Sequence, residues 1–144
     1  MFQTKAFPVY FVTFCTHRRA RWLAAVDVHD AFVRFAEIAE IKFNIAVGRY
    51  VIMPEHVHLL VCGDQSFVLE HWVGELKQAL ARGGKRKRAD GQIWQEGFFD
   101  HVLRSNESMS AKWEYVRMNP VRAGLVTRAE DWPYQGEIIP LDRA

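Results

Sequence analysis

Residues 45–53 and 56–62 are two apolar runs separated only by Pro54 and Glu55. So short a connection makes an antiparallel hairpin the expected arrangement, and no other stretch restricts the fold as much. Within the second run, His56 and His58 stand two residues apart. Side chains alternate faces along a strand, so both imidazoles leave the sheet on one side while Val57 enters the core on the other. Such a pair is either incidental or half of a site for a divalent metal ion.

The flanking segments supply the rest of the sheet and its cover. Residues 9–15 (VYFVTFC) are β-branched and aromatic and predict another strand, which runs into the basic loop THRRARW. From 28 to 43 the period changes: Phe32, Ala36, Ala39 and Phe43 mark one face of a helix, with Asp27 or Asp30 as its cap. Ser66 is placed to cap a second helix, where Leu69, Trp72, Val73, Leu76 and Leu80 form a stripe that Gly83 and Gly84 end. Ile93-Trp94 and residues 98–103 are short strand candidates split by Gly97. A third helix is expected over residues 107–118, stopped by Pro120.

That order, strand–helix–strand–strand–helix–strand, is the split βαβ pattern. The expected fold is therefore α+β and ferredoxin-like: an antiparallel sheet with two helices on one face, plus a C-terminal helix. His56 and His58 would point to the other face, left for a ligand or another protein layer. One domain over residues 1–127 and a tail over 128–144 are expected.

Composition narrows the class. Cys15 and Cys62 are far apart, each in an apolar strand pattern, so buried free thiols are expected rather than a disulfide or a zinc site. No apolar run approaches the roughly 20 residues of a membrane span. The N-terminus lacks a basic region and cleavage site. A cytoplasmic protein with no membrane partner is expected. The net charge of +2 is modest, but five of the seven residues from Arg82 to Arg88 are basic. Arg18, Arg19 and Arg21, with Lys77, Lys85, Arg86, Lys87, Arg88, Arg104 and Arg122, are candidate phosphate contacts. Trp22 and Trp94 could stack on unpaired bases or pack in the interior.

On the third helix, Met109, Trp113 and Val116 form the core stripe, whereas Ser108, Lys112, Tyr115 and Asn119 lie along another side. Tyr115 is off the apolar stripe, with Asn119 one turn below it if the helix lasts that far. Tyr115 is either a boundary tyrosine or a nucleophile. A free phenol ionises near pH 10, so forming phenolate at pH 7 costs roughly 4 kcal/mol unless a cation or base offsets it.

Taken in order, PEHVHLLV, GELKQAL, IWQEGFFDHVLRS and WEYVRMNPVRAGLV resemble the REP-associated branch of the histidine–hydrophobic–histidine (HUH) single-tyrosine transposases. YFVTFCTHRR resembles the first strand and loop of that branch, and the likeness covers residues 9–127. The resemblance implies that His56, His58 and Asn119 bind Mg2+ or Mn2+. It implies that Tyr115 attacks a phosphodiester of single-stranded DNA, leaving a 5′-phosphotyrosine link and a free 3′-hydroxyl. The implied partner is a DNA hairpin formed by a palindromic repeat, and the implied state is a monomer or a homodimer. Residues 131–144 do not follow the serine-rich ending of that branch. The alternative is a domesticated module that binds hairpins without catalysis.

Overall fold

The computed structural model describes residues 7–141. The targeting expectation drawn on residues 1–6 and the last residues of the tail, 142–144, lie outside that span. Strands β1 (Val9–Cys15), β2 (Ala46–Ile52), β3 (His56–Cys62), β4 (Phe99–Leu103) and β5 (Gln135–Glu137) form one sheet in the order β4-β1-β3-β2-β5. Every pairing is antiparallel. The four longer strands take the places that the element order predicts, and the 45–62 stretch forms the expected hairpin. Helices α1 (Val26–Phe43) and α2 (Leu69–Gly83) pack together, and α3 (Asn106–Val116) is followed by a single turn, α4 (Asn119–Arg122).

Alternation along the strands divides the apolar side chains between two layers. Val12, Phe14, Val57, Leu59 and Val61 pack under Phe32 and Ala36 of α1 and Trp72, Val73, Leu76 and Leu80 of α2. On the opposite face Val9, Phe11, Leu60 and Cys62 pack with Met109, Trp113 and Val116 of α3 and with Trp132. The third layer that the sequence left open is thus built by the chain itself. Cys15 and Cys62 are free and buried, as expected.

Several boundaries differ from expectation. The N-cap of α1 is Ala25, with Asp27 in the first turn and Asp30 inside the helix, so neither aspartate caps it. Phe43 is exposed rather than part of the core face, because it ends α1 just before Asn44 turns into the left-handed region. Ser66 does not cap α2, whose N-cap is Val68. Its hydroxyl and amide instead both donate to Asp64 Oδ1, at 2.6 and 2.9 Å, closing a local turn. Ser105 does cap α3: its hydroxyl accepts from the Ser108 amide at 3.1 Å in a reciprocal capping box.

The segment expected as a tail belongs to the core. β5 pairs with the outer edge of β2, and Leu141 lies over Gly48, where a Cβ would come within 2.8 Å of Leu141 Cδ1. Trp132 is buried in the α3-side layer, and its indole N–H donates to the Ile52 carbonyl at 3.0 Å. Removing a buried tryptophan from a packed layer costs about 3–5 kcal/mol. Trp132→Ala should therefore show a loss of that size in urea-denaturation free energy.

Candidate active site

His56 and His58 lie at the start of β3, opposite Cys15 and Thr13 of β1. Their ring centroids are 4.7 Å apart. Both rings use Nδ1 for their hydrogen bonds: His56 with Glu55 Oε1 at 2.9 Å, and His58 with Thr13 Oγ1 at 2.7 Å. For His56, whose Nδ1 faces a carboxylate, Nε2 is then the nitrogen that a metal can take, in the pattern by which carboxylates orient metal-binding imidazoles. Burial lowers the His56 pKa, opposed by the Glu55 carboxylate and assisted by Arg19. Burial also pushes His58 down to about 3, with the charges of His56, Lys112 and Arg122 acting in the same direction.

Both imidazoles are therefore neutral at pH 7, the form in which histidine binds metals. Among the described residues no group of three or more His, Cys, Asp and Glu side chains could hold a metal ion. The histidine pair fits a divalent ion only with donors of another kind, such as a side-chain amide or substrate oxygens.

The depressed His58 pKa has a consequence for stability. A histidine held neutral in the fold but ionising near 6.5 when unfolded contributes stability above that value. The contribution is lost as pH falls towards the folded pKa of about 3. The slope at His58 is up to about 1.4 kcal/mol per pH unit. His58→Gln should flatten the pH dependence of the unfolding free energy between pH 6.5 and the lowest pH at which the protein stays folded.

The tyrosine helix covers the same face of the sheet. The Phe11 ring stacks on His58 with centroids 5.5 Å apart, and the Lys112 ammonium of α3 lies 4.8 Å from the Phe11 centroid. Tyr115, one turn further along α3, is 67% exposed, as expected for a residue off the buried Met109–Trp113–Val116 stripe. Asn119 is not one turn below it on the same helix. The ladder loosens before Pro120, where the Met118 amide reaches back only to the Tyr115 carbonyl at 3.4 Å, so α3 ends at Val116 and Asn119 opens α4 with Pro120 in its first turn.

What brings Asn119 and Tyr115 together is Arg122. Its guanidinium lies 4.1 Å from the Tyr115 ring centroid. Its Nη2 donates to the Tyr115 carbonyl at 2.8 Å and to Asn119 Oδ1 at 2.6 Å. Expected as a phosphate contact, Arg122 here cross-links the nucleophile candidate and the amide candidate.

The other basic residues divide into two groups. Lys77 is occupied: its ammonium donates to the carbonyls of Gln95 and Gly97 at 3.3 and 2.7 Å and lies near the Phe14 and Trp94 rings. Arg18 and Arg19 are exposed, and both adopt left-handed backbone conformations. The buried Thr16 hydroxyl tethers their loop by donating to the Ala20 carbonyl at 2.8 Å. Arg21 pairs with Glu55 at 3.2 Å. Together with Lys85 and Arg86, Arg21 lines a cleft of about 540 Å³ between the start of α1 and the end of α2. Lys87, Arg88 and Arg104 are exposed. Trp22 is buried, edge-on to Trp94 at 5.3 Å, so its ring packs rather than waits for a base.

Sequence reasoning missed Glu55 and Thr13 as partners of the two imidazoles. The signal for Thr13 was its cross-strand position, which becomes visible only with the register.

An antiparallel sheet that carries paired histidines under a tyrosine-bearing helix defines the class. The chain belongs to the IS200-like transposase family, whose family model matches residues 8–119, from just before β1 to the first residue of α4. A Haemophilus influenzae protein provisionally named a REP-associated tyrosine transposase is 28% identical over 154 residues, covering 93% of this chain and 86% of its own. The REP-associated tyrosine transposase of Escherichia coli K12 is 30% identical over 91 residues, or 61% of this chain, and the match spans only 52% of that relative. A solved REP-associated tyrosine transposase bound to a REP hairpin superposes with a TM-score of 0.73 at 22% identity, covering 95% of this chain and 85% of that one. That likeness carries the fold. The resemblance to the REP-associated branch is borne out.

Proposed function

We propose that this protein is a metal-dependent transposase of single-stranded DNA that binds hairpins of palindromic repeats and cuts one strand through Tyr115. The observation that carries this reading is the shared face of the sheet. Neutral His56 and His58 lie on that face with their Nδ1 atoms engaged, and Lys112 of the helix that carries Tyr115 packs on Phe11, whose ring stacks on His58. The relatives' names support the substrate class, and one neighbour of the same fold is bound to a REP hairpin.

In this reading His56, His58 and Asn119 hold Mg2+ or Mn2+. When bound, such an ion supplies polarisation of the scissile phosphoryl group and orientation of the leaving oxygen. The Tyr115 Oη gives up its proton and attacks phosphorus; a tyrosyl O–P bond forms as the P–O3′ bond breaks, and the departing 3′-oxygen takes up a proton. One phosphodiester replaces another, so the strand can be rejoined without an external energy source. Asn119 must exchange its Arg122 partner for the ion, or accept from Arg122 with one lone pair and ligate with the other. Arg18, Arg19, Arg21, Lys85, Arg86, Lys87, Arg88 and Arg104 provide the cationic surface for the DNA backbone.

The test is a denaturation-resistant protein–DNA adduct. Single-stranded hairpins drawn from inverted repeats near the gene are incubated with protein and Mg2+ or Mn2+, then run on a denaturing gel. An adduct that requires the divalent ion supports the reading. Hairpin binding that never gives an adduct, with either ion, would make the chain the non-catalytic module.

A further inference from the structure

The Glu55 carboxylate is shared between two partners. Oε1 lies 2.9 Å from His56 Nδ1, and Oε2 accepts from Arg21 Nη1 at 3.2 Å. The backbone around it is fixed as well. The Glu55 carbonyl accepts from the Thr16 amide at 3.0 Å, and the Pro54 carbonyl accepts from the Leu23 amide at 3.0 Å. Glu55 and His56 are each only about one-sixth exposed at the side chain, so water competes weakly for their bond.

We infer that Glu55 is a positioning residue of the histidine pair: its carboxylate fixes the proton of His56 on Nδ1 and so commits Nε2 to a ligand. This inference rests on the metal reading given above. A carboxylate can only accept, so the imidazole nitrogen that faces it must be the donor. A neutral imidazole has one proton, and placing it on Nδ1 leaves the lone pair on Nε2. Without a partner the ring distributes its proton between the two nitrogens and rotates, and both freedoms oppose ligation. Arg21 acts on the same carboxylate from the other side. Its contact with Oε2 favours the rotamer that keeps Oε1 on the ring. His58 has a hydroxyl, not a carboxylate, on its Nδ1. Because a hydroxyl both donates and accepts, Thr13 does not dictate the proton position of His58 as Glu55 dictates that of His56.

The effect of losing such a partner is typically 10–100-fold in metal affinity. Two readouts test it. In the metal-free protein, long-range ¹H–¹⁵N correlation of the imidazoles should show His56 as the Nδ1–H tautomer; in Glu55→Ala, the Nε2–H form should appear. Mn2+ binding, followed by electron paramagnetic resonance, should weaken about 10–100-fold in Glu55→Ala. Glu55→Gln, whose amide oxygen can still accept, should keep the tautomer and restore most of the affinity. An Nε2–H tautomer at His56 in the wild type overturns the inference without any variant having to fold. Wild-type Mn2+ affinity in a folded Glu55→Ala protein overturns it as well. No Mn2+ binding by the wild type, with the Nδ1–H tautomer present, overturns the metal reading instead.

Discussion

Tyr115→Phe is expected to abolish the covalent protein–DNA adduct, lowering its rate of formation at least about a thousand-fold while leaving fold and hairpin binding intact. The substitution removes one oxygen and nothing else. The ring is exposed, so stability should change by less than about 0.5 kcal/mol. The Arg122 guanidinium can still lie over the phenyl ring, and its bonds to the Tyr115 carbonyl and Asn119 do not involve the hydroxyl. An unchanged thermal midpoint, an unchanged hairpin dissociation constant and a lost adduct would together assign the nucleophile. Adduct at the wild-type level would remove Tyr115 from the chemistry and turn attention to another nucleophile.

Loss of the divalent ion should have an effect of the same order. Excess chelator is expected to eliminate the adduct, and added Mg2+ or Mn2+ to restore it. His56→Ala should reproduce the chelated state in the presence of metal, with adduct formation at least about a hundred-fold slower. His56 is the better probe of the pair. His58 is the more deeply buried ring, stacks on Phe11 and bonds Thr13, so its removal also disturbs packing. Hairpin binding should survive both treatments, because the candidate phosphate contacts lie on the loops at 18–21 and 85–88 and at Arg104 after β4, and none lies on β3. Adduct that persists in chelator would exclude the metal role of the histidines.

How much of this was legible in the sequence depended on whether the signal was local. The β2–β3 hairpin was readable because alternation and a two-residue turn are both local facts, and so was the common face of His56 and His58. The α3 stripe was readable for the same reason. The position of Asn119 was not. Pro120 announced a break, but only the backbone at Arg117 and Met118 decides that the helix stops three residues before Asn119. Thr13 and Arg122 became partners through register and through the fold of α4, neither of which a periodicity contains. β5 was invisible because Gln135, Gly136 and Glu137 carry no strand pattern. They pair because the edge of β2 offers unpaired backbone groups to whatever segment passes.

The fastening of the α3–α4 segment sets a limit on how two copies of this chain could share their sites. The segment leaves the sheet at β4, whose Leu103 is buried, and is pinned again where the Trp132 indole meets Ile52 of β2. Between those anchors Arg122 binds the Tyr115 carbonyl and the Asn119 side chain, so the two residues travel together. Reciprocal exchange of tyrosine helices between protomers would thus have to transfer both residues as one piece. It would also have to draw Met109, Trp113 and Val116 out of the layer they share with Phe11 and Leu60, and stretch or release the Trp132 anchor. A protomer that keeps its own helix leaves that layer and the Trp132 anchor undisturbed.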